Sequence, residues 1–206
     1  MKNHITKKTI AIISLALLIL ITVGTTLALV FTNTKPVQNT FTPSRVSCAV
    51  VETLVNGDNS TTTETSAGTV SNFTSKSNVQ IKNTGDTDAY IRVAVVVNWM
   101  KADGTVWAQK PKIGEDADYQ IAFEQKDKNG VVIWEQGADG YWYYYKSVAP
   151  TETTDILITE AKQLKPAPEG YYLSIEIVAS AIQSTPTDVV KGEWGVTVNS
   201  NGEISK

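Results

Sequence analysis

Carboxylates are the side chains in this sequence with the best prospect of chemistry, because the only histidine, His4, lies near the N-terminus. If an export leader is removed there, no imidazole remains for a serine triad, a histidine zinc site or a metalloprotease motif. Glycoside hydrolysis needs two acids facing each other across a cleft, and its candidates are Asp116, Asp118, Glu124 and Glu176. We favour solvated positions for these acids, since charged residues are mostly exposed. The sequence therefore predicts no catalytic residue and no enzyme.

Calcium is the metal that a chain without usable histidine would bind, through oxygen ligands. Short acidic stretches occur at residues 114–118 and 127–130. Neither has the downstream acid that completes a calcium loop, and Asn129-Gly130 is also an ordinary hairpin-turn pair. We therefore predict neither a metal site nor a cofactor.

Cys48 is the only cysteine, so an internal disulfide is excluded even in a compartment that permits one. One interpretation is a reactive thiol or an intermolecular bridge. The other is a small buried hydrophobe, because Val46, Cys48 and Val50 alternate with their neighbours on a predicted strand. We favour the buried hydrophobe, since free cysteines are among the most buried residues.

An aromatic run, Tyr-Trp-Tyr-Tyr-Tyr, occupies residues 141–145. On a strand, Trp142 and Tyr144 share one face, while the three remaining tyrosines share the other. At least one set is expected in the core, and the other set could form a sugar-binding platform or an assembly contact. Trp142 and Tyr144 are the candidate binding aromatics. Core packing on both faces is the interpretation that we favour, because aromatic residues are common in strands.

An export leader is predicted at the start of the chain. Three lysines precede an apolar run at residues 10–21, polar residues interrupt it, and Ala28 supplies a small residue for cleavage between Ala28 and Leu29. The alternative is an uncleaved anchor, because residues 10–31 are long enough to cross a bilayer. Both alternatives place the rest of the chain outside the cytoplasm, since the basic residues hold the N-terminus inside.

Charge argues against nucleic acid as a partner. The formal net charge is −3, and it becomes −6 once the leader takes its three lysines away. No basic cluster follows the leader, whereas phosphate binding needs grouped Lys and Arg. Contact with a membrane is expected only through the leader before cleavage.

The hydrophobic period of the remaining chain is two, which indicates strands. Residues 89–99 and 171–183 form the predicted central pair, with Ile91, Val93 and Val95 on one face of the first. Shorter strands are predicted at residues 45–55, 78–82, 105–108, 119–123, 131–134, 141–146, 155–158 and 194–198. Asn-Gly and Asp-Gly turns separate many of them. The pattern predicts an all-β fold, a jelly-roll-like antiparallel β-sandwich.

The predicted organisation is therefore a signal peptide at residues 1–28, an extended segment at 29–43 and one sandwich domain at 44–206. A short helix is expected near residues 187–191. The stretch at 56–77 is rich in Thr, Ser and Gly, and it is predicted to be a polar surface loop.

Several of these segments also resemble a known family. They are Gly-Thr-Thr-Leu-Ala at 24–28, Phe-Thr-Asn-Thr at 31–34, Asn-Thr-Gly-Asp-Thr-Asp-Ala-Tyr-Ile-Arg-Val at 83–93, Asp-Gly-Tyr-Trp-Tyr-Tyr at 139–144 and Trp-Gly-Val at 194–196. Together they resemble exported proteins of Gram-positive bacteria that depend on the SipW-type signal peptidase, the TasA and camelysin-like family. The resemblance implies a secreted, jelly-roll-like sandwich.

The resemblance further implies assembly into extracellular biofilm-matrix fibres, in which each subunit donates its N-terminal segment as a strand to a neighbour. The donated residues would be Leu29, Val30, Phe31, Thr32 and Asn33. The implied partners are further copies of the chain or related matrix proteins, and the SipW-type peptidase during export.

Two functions from different classes remain open on the sequence. One is a secreted, non-catalytic structural subunit of a cell-surface or matrix assembly. The other is a monomeric extracellular binding module, a glycan binder or surface adhesin, for which the aromatic run is the motive.

Overall fold

The computed structural model describes three stretches of the chain, residues 44–56, 59–65 and 75–205. They fall within one compact unit, Ser44–Lys206. The predicted leader, its cleavage site between Ala28 and Leu29, and the predicted extended segment at residues 29–43 lie outside the described residues. Within the described stretches, no helix combines the length and apolarity needed to cross a membrane.

Strands are the main regular structure of the described residues. The elements are β1 (Cys48–Asn56), β2 (Asn59–Thr65), β3 (Ser75–Asn83), β4 (Ala89–Met100), β5 (Tyr119–Phe123), β6 (Trp134–Gln136), β7 (Trp142–Tyr144), β8 (Ile158–Gln163), β9 (Tyr172–Gln183), α1 (Asp188–Trp194), β10 (Thr197–Val198) and β11 (Ile204–Ser205). Sheet A has the strand order β2-β1-β3-β8-β5, and sheet B has the order β6-β7-β4-β9. β10 and β11 pair with each other.

The long antiparallel pair of β4 and β9 is the centre of sheet B. The two strands pair from Ala89 opposite Gln183 to Met100 opposite Tyr172. Five of the twelve residues of β4 and four of the twelve of β9 are β-branched, and such side chains fit a pleated surface. The strands predicted at residues 89–99 and 171–183 are thus confirmed.

The core lies between the two sheets. One cluster of buried side chains draws from both of them, including Val79, Ile81, Leu157 and Ile158 from the side of sheet A and Ile91, Val93, Leu173, Ile175 and Ile177 from sheet B. The chain passes from sheet A to sheet B three times, between β3 and β4, between β5 and β6, and between β8 and β9. This arrangement confirms the predicted all-β fold, an antiparallel β-sandwich.

The predicted polar loop at residues 56–77 is corrected by the structure. Its first part contains β2, which pairs antiparallel with β1 from Asn56 opposite Asn59 to Val50 opposite Thr65, and its last residues begin β3. Threonine is β-branched and favours strands, while an edge strand needs few apolar side chains. The absence of apolar residues therefore misled the prediction.

Two predicted strands differ from the structure: of residues 194–198 only Thr197 and Val198 form a strand, β10, and residues 105–108 form none. Trp194 is the last residue of α1 and does not belong to a strand. Gly195 follows it with a φ of 70° and ends the helix. The predicted strand at residues 105–108 contributes only one bridge, between Met100 and Val106. The helix expected near residues 187–191 is confirmed as α1.

Candidate functional site

An apolar cleft of about 510 Å³ opens between the two sheets beside β5. Sheet B contributes Val95, Val97 and Trp142 to its lining, and β5 contributes Ile121 and Phe123. The remaining lining residues are Ile113, Gly114, Ala117, Tyr119, Gln120, Gln136, Gly140 and Leu164. The cleft is therefore lined mainly by aliphatic and aromatic side chains from both sheets.

The cleft exposes the middle of the apolar face of β4. Ile91 and Val93 are fully buried. Val95 and Val97 lie further along the same face, yet both are only half-buried. The core is therefore open beside Val95 and Val97, whereas Trp99, beyond them on the same face, is buried again.

Two stacked aromatic rings form one wall of the cleft. The ring centroids of Phe123 and Trp142 are 4.3 Å apart, with an angle of 18° between the ring planes. Trp142 is only 5% exposed, so its ring meets the cleft at an edge. The wall is rigid, since both residues lie in strands.

The mouth of the cleft carries two exposed aliphatic side chains, Ile113 and Leu164, which are 70% and 49% exposed. Asp118 fixes the loop that presents Ile113: its Oδ2 accepts a hydrogen bond from the Lys112 amide at 2.8 Å, and its own amide donates to the Lys112 carbonyl at 3.0 Å. The Leu164 amide donates to the Asp118 carbonyl at 2.8 Å. One aspartate thus holds both sides of the mouth.

β5 is an edge strand of sheet A. Among the described residues it pairs with β8 alone, from Tyr119 opposite Gln163 to Phe123 opposite Ile158. Alternate backbone groups of an edge strand point away from the sheet and can pair with another strand. The cleft therefore combines an apolar lining with a backbone edge that is open to hydrogen bonding.

The aromatic run packs on both faces of β7, which is the interpretation favoured from the sequence. Trp142 and Tyr144 are buried in the main core, and Tyr143 is buried in a second cluster with Tyr90 and Val190. The Tyr144 hydroxyl donates to Asp155 Oδ2 at 2.7 Å, and burial together with this bond raises the pKa of Tyr144. Of the two candidate binding aromatics, Tyr144 offers no open platform, and Trp142 borders the cleft.

Of the four candidate carboxylates, Asp116 and Asp118 lie in the loop before β5, and each has a structural partner. Asp118 fixes the cleft mouth, and Asp116 pairs with Lys165, which holds the pKa of Asp116 below its usual range. Glu124 follows β5, whereas Glu176 lies on β9 in the other sheet. Asp116 and Asp118 therefore have structural roles in this loop.

The acidic turn at residues 127–130 is held by its own backbone. Asp127 Oδ1 accepts hydrogen bonds from the amides of Asn129 and Val131, each at 2.8 Å. These bonds lower the pKa of Asp127, the bond from Val131 most of all. The carboxylate therefore closes a turn, and the described residues contain no group of three or more metal-ligating side chains.

Cys48 lies at the start of β1 with its thiol free. Its side chain is half-buried and packs against the main core. Burial raises the pKa of Cys48 from 9.0 to about 11. A high pKa keeps the thiol protonated and therefore a poor nucleophile.

Three of the segments that carry the family resemblance are distant in the sequence but meet at Arg92. Its guanidinium carbon lies 4.2 Å from the ring centroid of Tyr141 and 4.8 Å from that of Trp194. On the neighbouring strand, the Tyr143 hydroxyl donates to Asp139 Oδ2 at 2.5 Å. The residues at 83–93, 139–144 and 194–196 thus share one cluster on the outer side of sheet B.

The residues that sequence reasoning missed are those at the mouth and base of the cleft. Ile113 and Leu164 are single aliphatic residues in polar loops, and no periodicity marks them. Gln136, the last residue of β6, and Gly140, in the turn before β7, also line the cleft. The one available signal in the sequence was an aliphatic residue next to glycine between two predicted strands, as at Ile113-Gly114.

Comparison with known proteins finds no matching protein-family model, no similar curated protein and no similar solved structure. What can be inferred about function therefore rests on the geometry of the cleft and on the sequence.

Proposed function

We propose that this protein is a secreted, non-catalytic structural subunit of a cell-surface or biofilm-matrix assembly. In this assembly the N-terminal segment of one copy adds as a strand to the sandwich of the next copy. The observation that carries the proposal is the apolar cleft of about 510 Å³ beside the edge of β5. An edge strand beside an open core is the arrangement that strand addition uses.

The chemistry of the cleft fits an extended apolar strand. A strand paired to β5 would gain backbone hydrogen bonds along that edge, and every second side chain would enter the cleft. In the segment Leu29 to Asn33, Leu29 and Phe31 fall on one face, while Val30 and Thr32 fall on the other. Leu29 and Phe31 would therefore pack between Phe123 and Val97.

The length of the chain before the sandwich suits this role. Ten residues, 34–43, separate the donated strand from the first described residue. A fully extended chain of that length reaches about 33 Å, at roughly 3.3 Å per residue. The donated strand could therefore lie up to about 33 Å from the start of its own sandwich.

Export supports the same function. The leader, cut after Ala28 by a SipW-type signal peptidase, would release the protein outside the cytoplasm with Leu29 at its N-terminus. On the basis of the sequence resemblance, we also propose that the chain belongs to the TasA and camelysin-like family. Further copies of the chain or related matrix proteins are the partners, and nucleic acid is not.

Electron microscopy and size-exclusion chromatography of the mature protein, residues 29–206, test this function. We expect filaments or higher oligomers from the natural sequence. Phe31→Asp should abolish them, because a charge would enter the apolar cleft. Thr32→Asp is the matched control and should assemble, because its side chain would face away from the cleft.

A mature protein that remains monomeric over a range of pH and concentration would contradict the proposal, as would equal assembly by the Phe31→Asp and Thr32→Asp proteins.

A monomeric binding module is the second candidate, because a cleft of about 510 Å³ lies in the size range of small-molecule sites. Its lining favours an apolar ligand over a glycan, since Tyr144 is buried. Saturable binding of an apolar fluorescent probe to a protein that never assembles would favour this candidate.

A further inference from the structure

The loop at residues 83–86, Asn-Thr-Gly-Asp, binds the backbone at the point where the chain enters the sandwich. The Thr84 amide donates to the Ser47 carbonyl at 3.0 Å, and the Asp86 amide donates to the Arg45 carbonyl at 3.0 Å. In return, the Arg45 amide donates to Asp86 Oδ1 at 2.7 Å. Residues 83–86 are called the clamp loop below.

Side chains add to these backbone bonds. The Arg45 guanidinium donates to the Thr84 carbonyl at 3.0 Å, and the hydroxyls of Ser47 and Thr84 are 2.9 Å apart. The stretch from Arg45 to Ser47 precedes β1, so none of these contacts belongs to a regular sheet.

Gly85 is required for this close approach. A Cβ atom at residue 85 would lie 2.4 Å from the Arg45 carbonyl oxygen and 3.1 Å from the Ser47 amide nitrogen. The nearest atom is backbone, which cannot rotate away as a flexible side chain would. Any other residue at this position must push the Arg45 backbone away from the clamp loop.

Asn83 anchors the clamp loop to the rest of the sandwich. Its side chain is fully buried, and its Nδ2 donates to the carbonyls of Thr87 and Val148, each at 2.8 Å. Its Oδ1 accepts from the Gly85 amide at 2.9 Å. The clamp loop is therefore fixed on one side to the core and on the other to the entering chain.

We infer that the clamp loop is a positioning device that holds the base of the N-terminal segment against the sandwich. In the assembly, which rests on the proposed function, any pull on a donated strand reaches the domain through Arg45 and is borne by the clamp loop before it reaches β1. The partner that exerts the pull is a second copy of this chain.

The chain contains only two arginines, Arg45 and Arg92, and this allows a sharp test. An arginine-specific endoprotease can cut after Arg45, at the clamp, or after Arg92, in the middle of β4. Cleavage of a folded protein requires local opening, and its rate follows the population of the opened form. The Arg45 cut therefore reports the clamp, and the Arg92 cut reports global unfolding.

In the monomeric mature protein, we expect the Arg45 cut to be at least about tenfold slower than in urea-unfolded protein. Asp86→Ala should accelerate it about tenfold, because Asp86 Oδ1 no longer holds the Arg45 amide. Gly85→Ala should accelerate it further. Both variants should leave the Arg92 cut within about twofold of the natural protein.

Asp88→Ala is the matched control. Asp88 is exposed, carries the same charge as Asp86 and lies just beyond the clamp loop, so the Arg45 cut should remain within about twofold. The inference is overturned if Asp86→Ala leaves the Arg45 cut unchanged, or if it accelerates both cuts equally.

The assembly gives a separate result. Filaments of the Gly85→Ala protein should break under shear at a lower stress than filaments of the natural sequence. Failure of the natural sequence to form filaments would count against the proposed function and leave the protease result standing. Equal shear resistance of the two filaments would overturn the role of the clamp loop in resisting a pull on the donated strand.

Discussion

Lys76 and Glu52 form an ion pair inside the sandwich, with Nζ 2.6 Å from Oε2 and no exposure of either side chain. Lys76 Nζ also donates to the Ile175 carbonyl at 2.8 Å, so one side chain joins sheet A to β9 in sheet B. Burial lowers the pKa of Lys76, and the Glu52 carboxylate opposes that shift. Glu52 Oε1 has no hydrogen-bond partner within the described residues.

Removal of one partner of this pair should destabilise the protein strongly. Lys76→Met should lower the free energy of unfolding by about 3–5 kcal/mol, because it leaves a buried carboxylate without its cation. The double variant Glu52→Leu with Lys76→Met should recover most of this loss. Urea unfolding at pH 7 measures both, and additive losses would contradict the prediction.

Arg92 should contribute through its stacking between Tyr141 and Trp194 as well as through its charge. Arg92→Lys keeps the charge but loses the planar stack, and we expect it to cost about 1 kcal/mol of unfolding free energy. A double-mutant cycle with Trp194→Leu should give a coupling energy of about 0.5 kcal/mol or more. A coupling near zero would mean that the Trp194 contact contributes nothing.

Asn83 should not tolerate aspartate. Asn83→Asp removes both donors to the carbonyls of Thr87 and Val148 and places a carboxylate beside them, so we expect a loss of about 2–4 kcal/mol. Asn201→Asp, in an exposed turn, is the control, with an expected change below about 0.5 kcal/mol. Chemical denaturation compares the two, and equal effects would refute the prediction.

Cys48 should lower the free energy of unfolding as the pH becomes alkaline. Its pKa is raised from 9.0 to about 11 in the folded protein, so the folded state retains the thiol proton after the unfolded state has lost it. This contribution to stability is complete below pH 9 and decreases as the pH rises to about 11. Thermal unfolding of Cys48→Ala should show a smaller decrease over that interval than the natural protein.

Substitutions at the cleft mouth should weaken assembly and leave the stability of the fold unchanged. Ile113→Asp and Leu164→Asp change exposed side chains, so the melting temperature should remain within about 2 °C. Assembly should require a higher protein concentration, since a charge at the mouth opposes an apolar strand. Val132→Asp, at an exposed site away from the cleft, should leave the critical concentration unchanged.

The long strands were predictable because their pattern is local. Alternation from Ile91 to Trp99 states which face is buried, and β9 follows the same rule. The Thr-rich β2 was not predictable from the same rule, since its burial pattern has no apolar face. Its pairing depends on β1, which is a neighbour in space.

The candidate site was less predictable than the fold. Val95 and Val97 have the same pattern as Ile91 and Val93, yet only the latter pair is covered. That difference depends on how far other elements extend over β4. The clamp loop was visible as a turn, but its contact with Arg45 joins residues 41 apart along the chain.

The cleft beside β5 and the base of the N-terminal segment at Arg45 are different surfaces of one domain. Subunits joined through them would all point the same way, and the contact would be heterologous rather than two-fold symmetric. Such a filament has polarity. One terminus exposes an empty cleft and the other an unused strand, so a free peptide with the sequence of residues 29–43 would stop growth at the first terminus only.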